Sequence, residues 1–324
     1  MHWKDLFPYK PYLPQAEFMD DASRVFETKS MLVAEACNGF GKTSCSLSAA
    51  LSLNCKIIYA TRTHEQASQV LNEVKAISKY STHDYSAVIL AGREHLCLNR
   101  KCKGLLAAEA AEVCKLLRAK EKCQYYWKLE EYPKVIPKSL SVSVLQKLGN
   151  KEKFCPYFMA RKASENFDVI VAPYQYVFNK VVREKVKLEL EGKILIFDEA
   201  HNADNIGLSA LSDRLYERST ENAKKELSHI NMNFDFLDRL TDYIESANSI
   251  VKNGTDFNRD INTLLGFENS SKTEISLFLE QFPNLVDKIR AYKLEMGQSP
   301  SCYLNAVLSF LSLVIFNPPQ CFVT

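Results

Sequence analysis

Two short stretches hold residues suited to handling a nucleotide. The first is Asp198-Glu199-Ala200-His201, directly after the apolar run Ile194-Leu195-Ile196-Phe197. Two adjacent carboxylates at the end of an apolar strand are costly unless they meet a cation. Mg²⁺ bound with a phosphate is such a cation, because it takes oxygen ligands and keeps several waters. Asp198 would hold the metal, and Glu199 would orient or deprotonate an attacking water. The bland alternative is an acidic surface turn.

The second stretch is Ala36-Cys37-Asn38-Gly39-Phe40-Gly41-Lys42-Thr43. Gly39 and Gly41 allow backbone N–H groups to close around phosphate oxygens at a helix N-terminus. Lys42 would reach the β- and γ-phosphates, and the Thr43 hydroxyl would ligate Mg²⁺. The strict pattern begins with Gly, and here that position is Ala36. Upstream, the Gln15 amide can both donate and accept. That suits an adenine edge or, as readily, a helix cap.

These residues need elements to place them. Met31-Leu32-Val33-Ala34 reads as a strand into the glycine loop, and Ser44 to Leu53 as the helix out of it. Further strands are expected at Lys56–Ala60, Tyr85–Ala91, Asp168–Pro173 and Ile194–Phe197, the last buried on both faces. Helical stretches run about Gln15–Phe26, Glu65–Ser78 and Val177–Leu190. Strands alternating with helices imply a parallel, doubly wound sheet with its ligands at the strand C-termini. Thr61-Arg62-Thr63 and Ala172-Pro173-Tyr174 fall at that edge. Arg62 and Thr63 suit a second phosphate, such as a nucleic-acid backbone, or Thr63 simply caps its helix.

The chain of 324 residues suggests about two domains, and 46% hydrophobic content supports a real core. A net charge of +2 hides a split. Residues 93–155 carry 14 Lys/Arg against 7 Asp/Glu, a net of +7, while residues 206–300 carry 11 against 15, a net of −4. No apolar leader precedes Trp3, and the longest apolar run, Val307–Phe316, is too short to span a bilayer. Ten cysteines without a leader point to metal or thiols in an intracellular, reducing compartment.

Five of those cysteines, at 97, 102, 114, 123 and 155, fall in the basic block among Tyr125-Tyr126-Trp127 and Tyr157-Phe158. No pair is C-x-x-C, so zinc-ribbon spacing is absent. Four thiolates could still converge on zinc or on a [4Fe–4S] cluster, and spacing alone does not choose. After Asn205 the sequence turns helical. Ile275, Leu277, Phe278, Leu279, Phe282, Leu285, Val286 and Ile289 give an apolar face, and residues 253–271 read as looser connections. The apolar tail Tyr303–Phe316 is expected to pack on the sheet domain, before the abrupt Asn317-Pro318-Pro319.

Taken in order, these stretches resemble the XPD family of superfamily 2 DNA helicases. The resemblance rests on Gly39–Thr43, Thr61–Thr63, Gly92-Arg93 with Cys97, Cys123–Tyr126, Cys155–Phe158 with Arg161, Ala172–Tyr174 and Asp198–Asn202. It implies an α/β fold: a parallel P-loop (RecA-like) sheet domain with an inserted Cys-rich iron–sulfur domain and an inserted all-helical arch domain. The motor domain would comprise residues 1–92, 157–204 and about 300–324, the cluster domain 93–156, and the arch 205–299. The implied cofactors are ATP with Mg²⁺ and a [4Fe–4S] cluster on Cys97, Cys114, Cys123 and Cys155, with Cys102 the competitor for the second ligand. The DNA-facing residues carried over are Arg93, Tyr126, Tyr157 and Arg161, beside Arg62, Thr63 and Tyr174 at the sheet edge. The alternative for Tyr157 is core packing beside the cluster. His201 would couple the nucleotide site to DNA.

The implied activity is that of an ATP-dependent 5′-to-3′ DNA helicase in repair. Its partners would be single-stranded and forked DNA and possible repair-complex proteins, and no membrane. It would be cytoplasmic in a prokaryote and nuclear in a eukaryote. XPD-like helicases close their ATP site with a second motor domain that supplies an arginine, and the resemblance is expected to stop short of that domain. The expectation is therefore a fragment that binds single strands, hydrolyses ATP poorly and does not unwind alone. The competing reading is a non-catalytic, metal-stabilised module that scans single strands. A DinG-like nuclease has no added exonuclease motif to support it.

Overall fold

The computed structural model describes residues 1–126, 136–211, 215–252 and 279–316. Trp127, the 253–271 connections, Ile275, Leu277, Phe278 and Asn317–Pro319 lie outside the described residues. The chain forms two compact units, Met1–Ala210 and Leu211–Thr324.

In the first unit, β1 (Ile57–Thr61), β2 (Ala87–Ile89), β3 (Ser139–Leu140), β4 (Val169–Pro173) and β5 (Ile194–Phe197) form one sheet, ordered β3-β2-β4-β1-β5. Every pairing is parallel. Ile57, Ile58, Tyr59 and Ala60 are buried because β1 has a strand on each side and helices over its faces. The core around it draws on α2 (Lys42–Leu51), α3 (His64–Tyr80) and α7 (Pro156–Ser164). A smaller cluster of Trp3, Phe7, Met19 and Ala22 seats α1 (Leu13–Glu27) against α2, where it meets Cys45 and Ala49.

Two strand expectations are corrected. Met31–Ala34 is not a strand, and Met31 and Val33 are 86% and 84% exposed. No ladder partner runs beside it among the described residues, and its exposed backbone groups are left to water. Ile194–Phe197 is a strand but not a buried one. It is half-exposed along its length because β5 forms the sheet's edge. In the other direction, Ser139–Leu140 went unread as a strand, being only two residues long. It pairs with β2, so the cysteine-bearing block contributes an edge strand to the sheet.

That block runs through α4 (Arg93–Leu96), a 3₁₀ turn at Arg100–Cys102, α5 (Ala107–Ala119) and α6 (Val142–Glu152) into α7. It shares one continuous hydrophobic core with the sheet. The fit is tight at Gly149, where a Cβ would lie 2.6 Å from Pro156 Cγ and 2.9 Å from Leu98 Cδ1. After β4 come α8 (Tyr174–Phe178) and α9 (Lys180–Val186), and after β5 comes α10 (Ala203–Leu211).

The second unit is helical among the described residues: α11 (Glu217–Ser228), α12 (Asp235–Lys252), α13 (Pro283–Glu295) and α14 (Tyr303–Phe316). Its core holds Leu227, Phe236, Leu240, Phe282, Leu285 and Ile289. The tail helix differs from expectation: Leu304, Val307 and Leu311 enter this helical core, and α14 packs on α11. Buried Glu226 fixes that packing. It accepts hydrogen bonds from the backbone N–H groups of Tyr303 and Leu304 at the start of α14, both at 3.0 Å, and pairs with Lys293.

Candidate functional site

The glycine loop is built as its residue types require. Gly39 and Gly41 have φ of 82° and 84°, in the left-handed region that favours glycine. Gly41 is the N-cap of α2, and a Cβ there would lie 3.1 Å from Gln15 Nε2. Gln15 is buried, and its amide is occupied at both ends. Its Oε1 accepts from Tyr12 N–H at 2.9 Å and its Nε2 donates to Phe40 O at 2.6 Å. It therefore ties the start of α1 to the loop.

Lys42 folds over the loop. Its Nζ donates to Ala36 O at 3.0 Å and lies 3.8 Å from Glu199 Oε1. The two motifs, more than 150 positions apart in sequence, thus meet at one point. They meet because β5 ends there, one strand over from β1, with Ala60 opposite Phe197. Asp198 N–H continues the ladder to Ala60 O at 3.1 Å, and the chain then turns sharply at Glu199, with φ of 56°. Burial raises the Asp198 pKa and the adjacent Glu199 adds to it, while Lys42 pulls the other way. A carboxylate so placed gains from a cation. Behind it the buried Tyr59 hydroxyl shares hydrogen bonds with Thr43 and Ser46.

Tyr174 is placed differently from its expected DNA-facing role. Its side chain is 2% exposed, stacks on Phe197 with centroids 5.7 Å apart, and donates its hydroxyl proton to the Asp198 carbonyl. It secures the carboxylate turn from beneath, because an aromatic with one polar tip suits a buried site that offers one acceptor.

At the C-terminal ends of β1, β2 and β4 lies a small cavity lined by Thr61, Arg62, Thr63, His64, Ile89 and Pro173. Thr63 caps α3 in a full capping box with Gln66. Arg62 is exposed and reaches Asn202, Nη1 to Oδ1 at 3.3 Å. His64 sits edge-on to His95, their centroids 4.2 Å apart. Burial lowers the His64 pKa, and His95 adds to the effect.

The five cysteines gather in one region. Cys97 follows α4, Cys102 ends the 3₁₀ turn, Cys114 lies on α5, Cys123 follows α5, and Cys155 caps α7. Hydrogen bonding from Cys102 lowers the Cys97 thiol to about 7, while burial raises Cys155 to about 12. Cys114 and Cys123 both act on Cys102, and Cys114 and Cys97 both act on Cys155. In chemistry this donor set fits a thiolate-bound centre. Among the described residues no group of three or more His, Cys, Asp or Glu side chains is assembled to hold a metal ion.

Guanidinium groups and aromatic rings surround the sulfurs. Arg93 Cζ lies 4.0 Å from the Tyr157 ring centroid and hydrogen-bonds Cys114. Burial opposes its charge, but Tyr157, Cys114 and Cys155 outweigh that and raise its pKa. Tyr157 is buried between Arg93 and Arg161, which corresponds to the core-packing alternative. Arg161 donates its Nε–H to Val186 O at 3.0 Å. Tyr126 and Phe158 are only partly buried, and Arg118 lies 5.0 Å from each ring. Sequence reasoning gave no role to Arg118, His64, His95 or Asn202. Asn202 alone had a visible signal, standing next to His201.

Residues 59–220 match the DEAD_2 family. The regulator of telomere elongation helicase 1 homolog of Caenorhabditis elegans is 30% identical over 285 residues, covering 75% of this chain and 28% of that protein. The Caenorhabditis briggsae homolog is 30% identical over 266 residues, covering 69% and 26%. The Homo sapiens protein is 27% identical over 250 residues, covering 62% and 20%. The chain thus spans about a quarter of the nematode relatives' length. Among solved structures, an XPD helicase aligns with TM-score 0.64 at 21% identity, over 97% of this chain and 52% of that one. A truncated XPD aligns with TM-score 0.60 at 22% identity, over 91% and 81%. The two solved structures share the fold, and the family match covers half of the sequence: the chain belongs to the DEAD_2 family.

Proposed function

We propose that this chain is the nucleotide- and strand-binding part of an ATP-dependent DNA helicase that moves 5′ to 3′ and serves DNA repair. The observation that carries the reading is the 3.8 Å approach of Lys42 Nζ to Glu199 Oε1, which joins the phosphate loop to the acidic turn. Lys42 binds the β- and γ-phosphates, and Thr43 and Asp198 hold Mg²⁺. Glu199 orients the attacking water and takes its proton. Mg²⁺, when bound, neutralises charge on the phosphates. Arg62, Thr63 and Arg161 contact the strand's phosphates, and Tyr126 stacks a base. The residues suited to a [4Fe–4S] cluster are Cys97, Cys114, Cys123 and Cys155, with Cys102 as a fifth thiol. Arg93 faces Cys114, so it offsets the charge of a thiolate centre rather than meeting DNA.

In this reading the 324-residue segment by itself binds single strands and hydrolyses ATP slowly. The test compares wild type with Lys42→Ala for binding of labelled single-stranded DNA and of Mg-ATP. The helicase reading expects nucleotide binding lost and strand affinity kept. A wild-type chain that binds the strand but has no affinity for Mg-ATP would overturn it in favour of the non-catalytic binding module.

A further inference from the structure

Four polar contacts run in sequence from the glycine loop to Arg62. Lys42 Nζ lies 3.8 Å from Glu199 Oε1, and Glu199 Oε2 lies 3.4 Å from His201 Nδ1. His201 Nε2 meets Asn202 Nδ2 at 2.7 Å, and Asn202 Oδ1 accepts from Arg62 Nη1 at 3.3 Å. The path is short because β1 and β5 are neighbours, so Arg62 and the acidic turn leave the same sheet edge. From it we infer that Asn202 is the positioning residue that couples nucleotide occupancy to strand affinity. The inference rests on the functional reading above.

Asn202 is suited to the task by its two unlike ends. A guanidinium cannot accept a hydrogen bond, so Oδ1 must face Arg62 and the NH₂ must face His201. The NH₂ also lies 3.4 Å from Glu199 O, which ties the amide to the turn itself. With Nε2 accepting from the amide, the imidazole donates from Nδ1 towards Glu199. Each contact therefore sets the direction of the next.

The chain has a place where it can switch. Glu199 is a non-glycine residue at φ 56°, a conformation that persists only where surroundings hold it. Its carboxylate is shared between Lys42 and His201. Lys42 has a second partner in Ala36 O, on the loop that would wrap the phosphates. Phosphates in that loop take the Lys42 donors. Glu199 is then left to His201, and the imidazole, amide and guanidinium re-seat together. Both ligands thus bias one small element, and linkage makes the effect reciprocal. The side chains at the nucleotide end are 37% and 36% exposed, so the coupling is modest, on the order of fivefold.

The test uses the full 324-residue chain and a labelled oligothymidylate, titrated with and without Mg²⁺ and a non-hydrolysable ATP analogue. Wild type is expected to change its strand affinity about fivefold or more on adding the analogue. Asn202→Ala is expected to bring that ratio to one while binding the analogue alone as wild type does. Asn202→Asp keeps an acceptor for Arg62 but loses the donor to His201. It is expected to keep nucleotide-free strand affinity and lose the ratio. A ratio that survives in Asn202→Ala, or a wild-type ratio of one, overturns the inference and leaves the functional reading standing. Absence of strand binding in every nucleotide state would sink both.

Discussion

Two carboxylates, one in each unit, receive opposite treatment. Glu226 is 5% exposed and pairs with Lys293, two backbone N–H groups and the Cys302 thiol. Glu199 has a side chain 36% exposed, two looser partners at 3.8 and 3.4 Å, and left-handed backbone. The first is polar chemistry used to hold helices together. Burial there demands that every lone pair be met, and meeting them fixes α14 to α11. The second keeps lone pairs free and contacts long, so it can exchange partners. Stability and function place different demands on the same side chain.

The largest effect should come from breaking Glu226. Glu226→Ala leaves the Lys293 ammonium, only 14% exposed, with the Ser301 carbonyl but no carboxylate, and it uncaps α14. It should cost the helical unit about 3–5 kcal/mol in urea unfolding. Glu199→Ala should stay within about 0.5 kcal/mol of wild type. If the two variants lose similar stability, the contrast fails.

Next in size is the set of five cysteines on which the proposed cluster would draw, four of whose members are buried in the first unit's core. On anaerobically purified protein, Cys114→Ser should lose visible charge-transfer absorption and bound iron, and Cys102→Ser should retain both. Zinc without colour in wild type would replace the cluster with a mononuclear centre. The reverse pattern in the two variants would exchange their roles.

A smaller effect separates an exposed arginine from a half-buried one. Arg62→Ala should weaken strand binding evenly across sequences and lower the log-affinity-against-log-salt slope by about 1. Arg93→Ala should leave that slope unchanged, because its guanidinium is spent on Tyr157 and Cys114. Equal slopes in the two variants would undo the distinction.

The smallest effect concerns Asp198, whose pKa burial raises. A raised folded-state pKa gives stability that is present below the ordinary aspartate range and lost as pH rises through the raised value. Thermal melts should therefore fall more steeply for wild type than for Asp198→Asn across that window. The gap should stay under about 1 kcal/mol, since the group is only partly buried. A wild-type curve as flat as the variant's would contradict the assignment.

Much of this was legible in the sequence because local chemistry and fold pointed the same way. Apolar runs marked β1 and β4, and glycines at required φ marked the loop. What was missed depended on neighbours. Ile194–Phe197 and Val169–Pro173 read alike, yet only the second has a strand on each side. Tyr174 stood at the functional edge in sequence, but its ring turned inward onto Phe197. The apolar tail was rightly expected to be buried but assigned to the wrong core, because apolarity does not name a partner. Asn202 and the His64–His95 pair depend on distances between elements, which no spacing encodes.

The central claim is that Lys42 and Glu199 form one nucleotide site with separable roles. Calorimetric titration of Mg-ATP into wild type, Lys42→Ala and Glu199→Gln tests it, with phosphate release measured on the same samples. The account predicts binding by wild type, none by Lys42→Ala, and near-wild-type binding without turnover by Glu199→Gln. Equal Mg-ATP affinity in wild type and Lys42→Ala would contradict it.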